Sequence, residues 1–291
     1  MKKKLITICS LTVCICALTL GCSHNDSKST SNSTSDSEEA KENEESQYAD
    51  NQFINDMTKG LQARWKLTYE DEERDDYDEI PLQSSENKKL TLSYIQAELD
   101  YIEKYKDENF EDSKLHETAI TYINLLLEHK ELCDYIPVDY EGKYSERFDS
   151  IYNERSKIIE EMVDDYGLKV DEEYQDTLDN FLANSQLVKD QEAMEDAIDT
   201  MLSNIQFQTI YDEDDVDEGL KICQGVIENT TGKDFSTFTL NYNLINADGV
   251  IVETTYDSLN NFKDGTKVQL EFYTYVDFAT IEVTTDFYDV D

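Results

Sequence analysis

Histidine, cysteine and base-paired serine build most hydrolytic and metal sites, and this 291-residue chain uses them sparingly. Its three histidines are His24, His116 and His129. His116 and His129 are thirteen residues apart, on roughly opposite sides of one helix, and no His-Glu-x-x-His zinc pattern occurs. His129 and Cys133 are four apart and share a helix face, which supplies two of the four ligands a structural zinc requires. No further ligands accompany them, so no metal is assigned, and the pair reads as a partly buried Cys beside an exposed His. Ser85-Glu86-Asn87-Lys88 has a nucleophile and a base at Ser-x-x-Lys spacing, but it sits in a polar segment with no Lys-Thr-Gly downstream. There is no Gly-x-Ser-x-Gly elbow and no glycine-rich phosphate loop. The 66 acidic residues allow the carboxylate pair of a glycosidase, but their number singles out none. Asp212 to Glu218 is not a calcium loop, because Val216 occupies the place of the third ligand. The reading assigns no catalytic residue and no cofactor.

The formal net charge of −41 is more informative. It excludes non-specific nucleic-acid binding, which needs Lys and Arg to neutralise phosphates. It leaves cations, basic peptides and basic proteins as charge partners, or solubility alone. The densest acidic stretch is Tyr69 to Glu79, and Glu72, Glu73, Asp75 and Asp76 are its candidate binding residues. Mutual repulsion gives the other interpretation, a solvated loop. Tyr101 and Tyr105 share a helix edge next to acids and form a second candidate patch, since tyrosine brings area and a polar tip at low entropy cost. Trp65, the single tryptophan, continues an apolar stripe and reads as core.

The elements that carry these residues fall into two parts. From Gln52 to Gln206 apolar residues recur at helical spacing. The stripes are Phe53, Met57, Leu61 and Trp65; then Tyr94, Ile95, Leu99 and Ile102; then Leu115, Ala119, Ile123, Leu126 and Leu127, capped by Asp112 or Ser113. A fourth, Phe148 to Met162, ends near Gly167, and Pro137 separates it from the third. Tyr174 to Leu182 and Met194 to Ile205 make two more. The spacing predicts a bundle of about six helices over residues 51–209, then an acidic linker over 210–218. Beyond it the period changes to two. Leu220 to Glu228 reads as a strand, and Phe238, Leu240, Tyr242 and Leu244 alternate with polar residues. Asp248-Gly249 and Asp264-Gly265 mark turns. At least five short antiparallel strands over 219–291 predict a small β-sandwich, so the fold class is α+β in two domains.

The N-terminus carries an address. Lys2, Lys3 and Lys4 precede an apolar run from Leu5 to Leu20, too short to span a bilayer, and Thr19-Leu20-Gly21-Cys22 follows. This resembles a bacterial lipobox, with Thr19 where leucine is usual. The resemblance implies a signal peptide over 1–21 cut after Gly21, a diacylglyceryl group on Cys22, and attachment to the outer face of the cytoplasmic membrane. Residues 22–50 are rich in Ser, Asn, Asp and Glu and read as a disordered tether whose r.m.s. reach is roughly 30 Å. Cys9, Cys14 and Cys16 leave with the signal. Cys133 and Cys223 then remain, either bridged across the domains or, as their different domains favour, two buried thiols.

The C-terminal segment resembles an FxLYD domain, a small Ig-like sandwich of surface and lipid-anchored proteins in low-GC Gram-positive bacteria. The residues that carry the resemblance are Val226 to Gly232, then Tyr242-Asn243-Leu244-Ile245-Asn246 with Asp248-Gly249. Tyr256 to Leu259 and Phe262-Lys263-Asp264-Gly265 with Val268 and Phe272 complete it. Tyr242, Ile245 and Asn246 stand where the family has Phe, Tyr and Asp. These are packing and turn residues, so the resemblance implies a fold and a setting and transfers no catalytic group. The helical part, around Leu61 to Leu67 and Leu168 to Leu182, resembles lipoproteins that end in such a domain. The expected function is therefore a membrane-anchored lipoprotein with a non-catalytic binding or scaffolding role. The alternatives are acidic capture of a basic enzyme or peptide and, last, a cell-wall hydrolase.

Overall fold

The computed structural model describes residues 48–211 and 219–290. Gly21, Cys22, His24 and the Asp212–Glu218 stretch lie outside the described residues, as do the expected signal peptide and almost all of the expected tether. The described part is α+β, with helices first and antiparallel sheets at the C-terminus. None of its helices is long and apolar enough to cross a membrane.

The helical part contains α1 (Asp50–Glu72), α2 (Ser85–Ile102), α3 (Ser113–Leu132), α4 (Ser145–Asp164) and α5 (Gln175–Ser203). Asp50 opens α1, and its carboxylate accepts from the Glu111 and Asp112 backbone N–H groups at 2.9 Å each. The α1 stripe is buried as its four-residue spacing predicts: Phe53, Met57, Leu61 and Trp65 all face the core. Burial of each such side chain contributes about 1.5–3 kcal/mol, and no helix of this length is stable without it. Asp112 caps α3 by accepting from the Lys114 and Leu115 N–H groups at 2.8 and 3.2 Å. After α4 the chain reverses at Gly167, whose φ is +70°, and Leu168 N–H returns to the Met162 carbonyl at 2.9 Å.

Five α-helices rather than six are present among the described residues, because the last two stripes belong to one helix, α5. No glycine or proline interrupts Gln175–Ser203, so the polar residues between the stripes stay helical. The early residues Leu178 and Phe181 enter the helical core. Ile198, Met201 and Leu202 pack instead with the strands.

Gly60 lets α1 come close to the backbone of α2. A Cβ there would lie 3.0 Å from the Glu98 carbonyl oxygen of α2. Gly60→Ala, favourable by helix propensity, should therefore destabilise by about 1–3 kcal/mol through forced separation of α1 and α2. A lowered urea midpoint with unchanged m-value is the expected readout.

The strands are β1 (Gln208–Tyr211), β2 (Lys221–Glu228), β3 (Phe235–Ile245), β4 (Ile251–Phe262), β5 (Lys267–Thr274), β6 (Thr280–Thr284) and β7 (Tyr288–Val290). One sheet has the order β1-β2-β5. The other has β4-β3-β6, with β7 also on β3, and every pairing is antiparallel. Ile210 and Tyr211, expected in the linker, pair with Ile222 and Lys221 in β1. The change of period thus comes a few residues earlier than the apolar pattern shows. Phe238, Leu240, Tyr242 and Leu244 face inward against Cys223, Ile227, Leu270 and Phe272, so the two sheets share one core. Buried Asn229 closes the β2–β3 turn. Its amide donates to the Lys233 and Phe262 carbonyls at 2.8 and 2.9 Å, and its oxygen accepts from the Thr231 N–H and hydroxyl.

Candidate functional site

The sequence candidates separate once placed. Glu72 ends α1, and Glu73, Asp75 and Asp76 follow it, all exposed. The segment is not bare of counter-charge. Arg74 lies among them, with nitrogens 3.1 Å from Asp71, 3.0 Å from Asp76 and 3.6 Å from Glu86. The guanidinium holds the Asp76 carboxyl below its usual range. The acidic run is thus organised around its own cation, and only part of its charge faces outward.

Tyr101 is exposed, but Tyr105 is buried, which corrects their pairing as one surface patch. After Ile102 the chain tightens into a 3₁₀ turn, Glu103–Lys106, in which residues three apart eclipse. Tyr105 therefore follows Ile102 into the core. Its hydroxyl donates to Asp56 at 2.8 Å, beside Lys59 at 2.8 Å and Lys104 at 3.0 Å. Burial opposes charge on Asp56, but these three donors outweigh it and lower the carboxyl's pKa.

His129 and Cys133 do share a face, and that face is the interior. Both are buried, so the expected exposed histidine is not found. His129 Nε2 lies 3.1 Å from the Tyr144 hydroxyl, and the Cys133 thiol donates to the His129 carbonyl at 3.2 Å. Burial pulls the His129 pKa down to about 2, helped by the nearby Arg64 and Arg155 charges. Burial also pushes the Cys133 thiol up to about 12. A thiol held protonated is a poor nucleophile and a poor ligand. Among the described residues no three His, Cys, Asp or Glu side chains cluster as a metal would need. Cys133 and Cys223 are free thiols in separate cores.

The densest polar constellation of the helical part was not foreseen. Glu98 of α2 is 0% exposed and Arg155 of α4 is 1% exposed. Arg155 Nη2 lies 3.0 and 2.8 Å from the two Glu98 carboxylate oxygens and 2.8 Å from the Tyr122 hydroxyl. Arg64 Nη1 reaches Glu98 Oε2 at 2.9 Å, and the Tyr122 hydroxyl donates to Glu98 Oε1. The Arg155 guanidinium also stands 5.2 Å from the Tyr122 ring centre and 5.7 Å from that of Phe181. Burial disfavours the Glu98 charge, but Arg155 and Arg64 overcome it and lower its pKa. The two arginines diverge. Burial and Arg155 lower Arg64, whereas Glu98 and Tyr122 raise Arg155 against its burial. Every partner lies within the bundle, so the cluster joins α1, α2, α3 and α4.

The sequence did signal it. Glu98 stands three after Ile95 and four before Ile102, inside the apolar stripe of α2. Arg155 stands four after Ile151 and four before Ile159 in α4. A charge at a core-facing position without a solvated neighbour face implies a buried partner.

No protein-family model matches the chain, and no curated protein matches it. One solved structure similar to it is the Pseudomonas fluorescens alkylpurine DNA glycosylase AlkC bound to DNA containing an abasic site analog. The identity is 8% over 81% of this chain and 77% of that one, with a TM-score of 0.18. A likeness that weak carries no argument about fold or activity.

Proposed function

We propose that the protein is a lipoprotein attached through Cys22 to the outer face of the cytoplasmic membrane of a Gram-positive bacterium, with a binding or scaffolding role rather than a catalytic one. The observation that carries the reading is the order of the first 50 residues. Three lysines precede a short apolar run and Gly21-Cys22, a polar stretch follows, and the first described helix begins at Asp50. The strand unit beyond is read as an Ig-like module of the FxLYD kind. Its paired sheets and Asn229-centred turn are consistent with that, since the resembling residues Val226 to Gly232 form the end of β2 and this turn. Arg64, Glu98, Tyr122 and Arg155 bond one another across four helices, which supports a scaffold. In cells fed a labelled fatty acid, the wild-type protein should carry the label and sediment with membranes. Cys22→Ala should lose both. Equal labelling of the two forms overturns the reading.

A second reading, capture of a basic enzyme or peptide, draws on the −41 charge and the exposed Glu72, Glu73, Asp75 and Asp76. Such binding must weaken steeply by 0.5 M salt, where the screening length is about 4 Å. Salt-insensitive binding removes it.

A further inference from the structure

The outer face of β3 and β4 is uncharged across its middle pairs, in a chain in which 31% of residues are charged. Across β3 and β4 its cross-strand pairs are Thr239–Ser258, Asn241–Tyr256 and Asn243–Thr254. All six side chains are neutral, and each can donate and accept hydrogen bonds. Tyr256 stands midway along the edge strand β4, 81% exposed. On the other side of β3, Phe287 is 55% exposed. It is tied alongside Thr239, whose N–H and hydroxyl both donate to the Phe287 carbonyl, at 3.0 and 2.8 Å. Tyr288 packs inward on Phe235 and Phe238, so alternation turns Phe287 outward onto the same face as Tyr256. Two strand spacings and one two-residue step separate the aromatics, about 12 Å, the scale of a disaccharide.

We propose that this face binds a neutral, extended polysaccharide. The aromatic rings stack on the C–H faces of two sugars, and the amides and hydroxyls between them exchange hydrogen bonds with sugar hydroxyls. The charge pattern selects this occupant. A cationic polypeptide meets no acid among the outward β3 and β4 side chains, and the acids on the far side of β3, Glu282 and Asp286, already accept from Asn243 and Thr239. An anionic polymer or lipid surface is repelled by the whole molecule. An uncharged polyol matches what remains. The face is also held in advance: β3 is paired on both sides, and the Thr254 hydroxyl donates to the Asn243 side-chain oxygen at 2.9 Å. Little ordering cost is then left for binding.

This inference deepens the binding reading above and rests on it, but its test needs no cells, so it can fail while lipidation at Cys22 stands. The purified full-length chain is incubated with insoluble chitin and cellulose at 0.05 and 0.5 M salt, and retention is measured. Retention on at least one polymer is expected, equal at both salts. Tyr256→Ala and Phe287→Ala should each weaken it about tenfold, with Tyr273→Ala, an exposed aromatic of the other sheet, as an unaffected control. Both face residues are solvent-exposed, so circular dichroism should match wild type. No retention on any polymer, retention abolished by salt, indifference to Tyr256→Ala, or Tyr256-dependent binding of a polypeptide instead would each overturn the proposal.

Discussion

Replacing Glu98 with alanine is expected to cost about 3–5 kcal/mol, most of the stability of an ordinary domain. The substitution removes the single anion that Arg64 and Arg155 share and leaves their two guanidiniums facing each other in the interior. The Tyr122 hydroxyl loses its acceptor at the same time. Urea unfolding at pH 7 measures the loss. The companion experiment gives the prediction its edge. Arg64→Met, Glu98→Leu and Arg155→Met together remove all the ions, along with the desolvation cost of burying them. That triple variant should be far more stable than Glu98→Ala alone and within about 2 kcal/mol of wild type. A single variant that loses under 1 kcal/mol would show that water reaches the cluster.

The second large effect is a pH dependence from His129. Its folded pKa of about 2 lies far below the ordinary value near 6.5, so the unfolded chain binds the proton and the folded one does not. The stability this group supports is complete above pH 6.5 and declines as pH falls toward the folded value. The slope is about 1.4 kcal/mol per pH unit once the unfolded histidine is protonated. The informative window is pH 6.5 to 5, above the range in which most carboxylates titrate and relieve their own repulsion. Unfolding free energies at half-unit steps should fall by about 2 kcal/mol across it. In His129→Gln, which can still bond Tyr144, the slope should flatten. An unchanged slope in that variant would assign the effect to another group.

Much of the architecture was legible because solvent exclusion imposes a period. Phe53 to Trp65 and Leu115 to Leu126 were readable as faces, and Phe238 to Leu244 as alternation, from apolar spacing alone. Asp248-Gly249 and Asp264-Gly265 were readable as turns because glycine there takes positive φ, +78° and +70°. The misses share a cause. Tyr105 and His129 were judged by polarity, although each continues an apolar stripe, and position on a stripe outweighs the presence of one polar atom. Glu98 and Arg155 were passed over as helix charges in a chain full of them. The join between the last two stripes was missed because the eleven mostly polar residues from 183 to 193 resemble a loop until the absence of glycine and proline is weighed. The face around Tyr256 was hidden for a different reason. It is assembled by strand register, which places Tyr256 beside Asn241 and leaves Phe287 next to Thr239, and register is not written in either strand alone.

Helix α5 has a mechanical consequence. It contributes to both cores, yet between Ser185 and Ile198 no side chain of it is buried. That stretch is braced by bonds along its own surface, Gln186 to Asp190 and Gln191 to Glu195, and by Lys189 and Glu192 pairing with α4. A load applied between the N-terminal end of the helical part and the β4 face must pass along it. Helical hydrogen bonds lie in series with such a pull and break one after another, whereas the β3–β4 ladder presents its bonds side by side. Under tension the protein would lengthen first at this strut, gaining extra reach while the sheets stay whole.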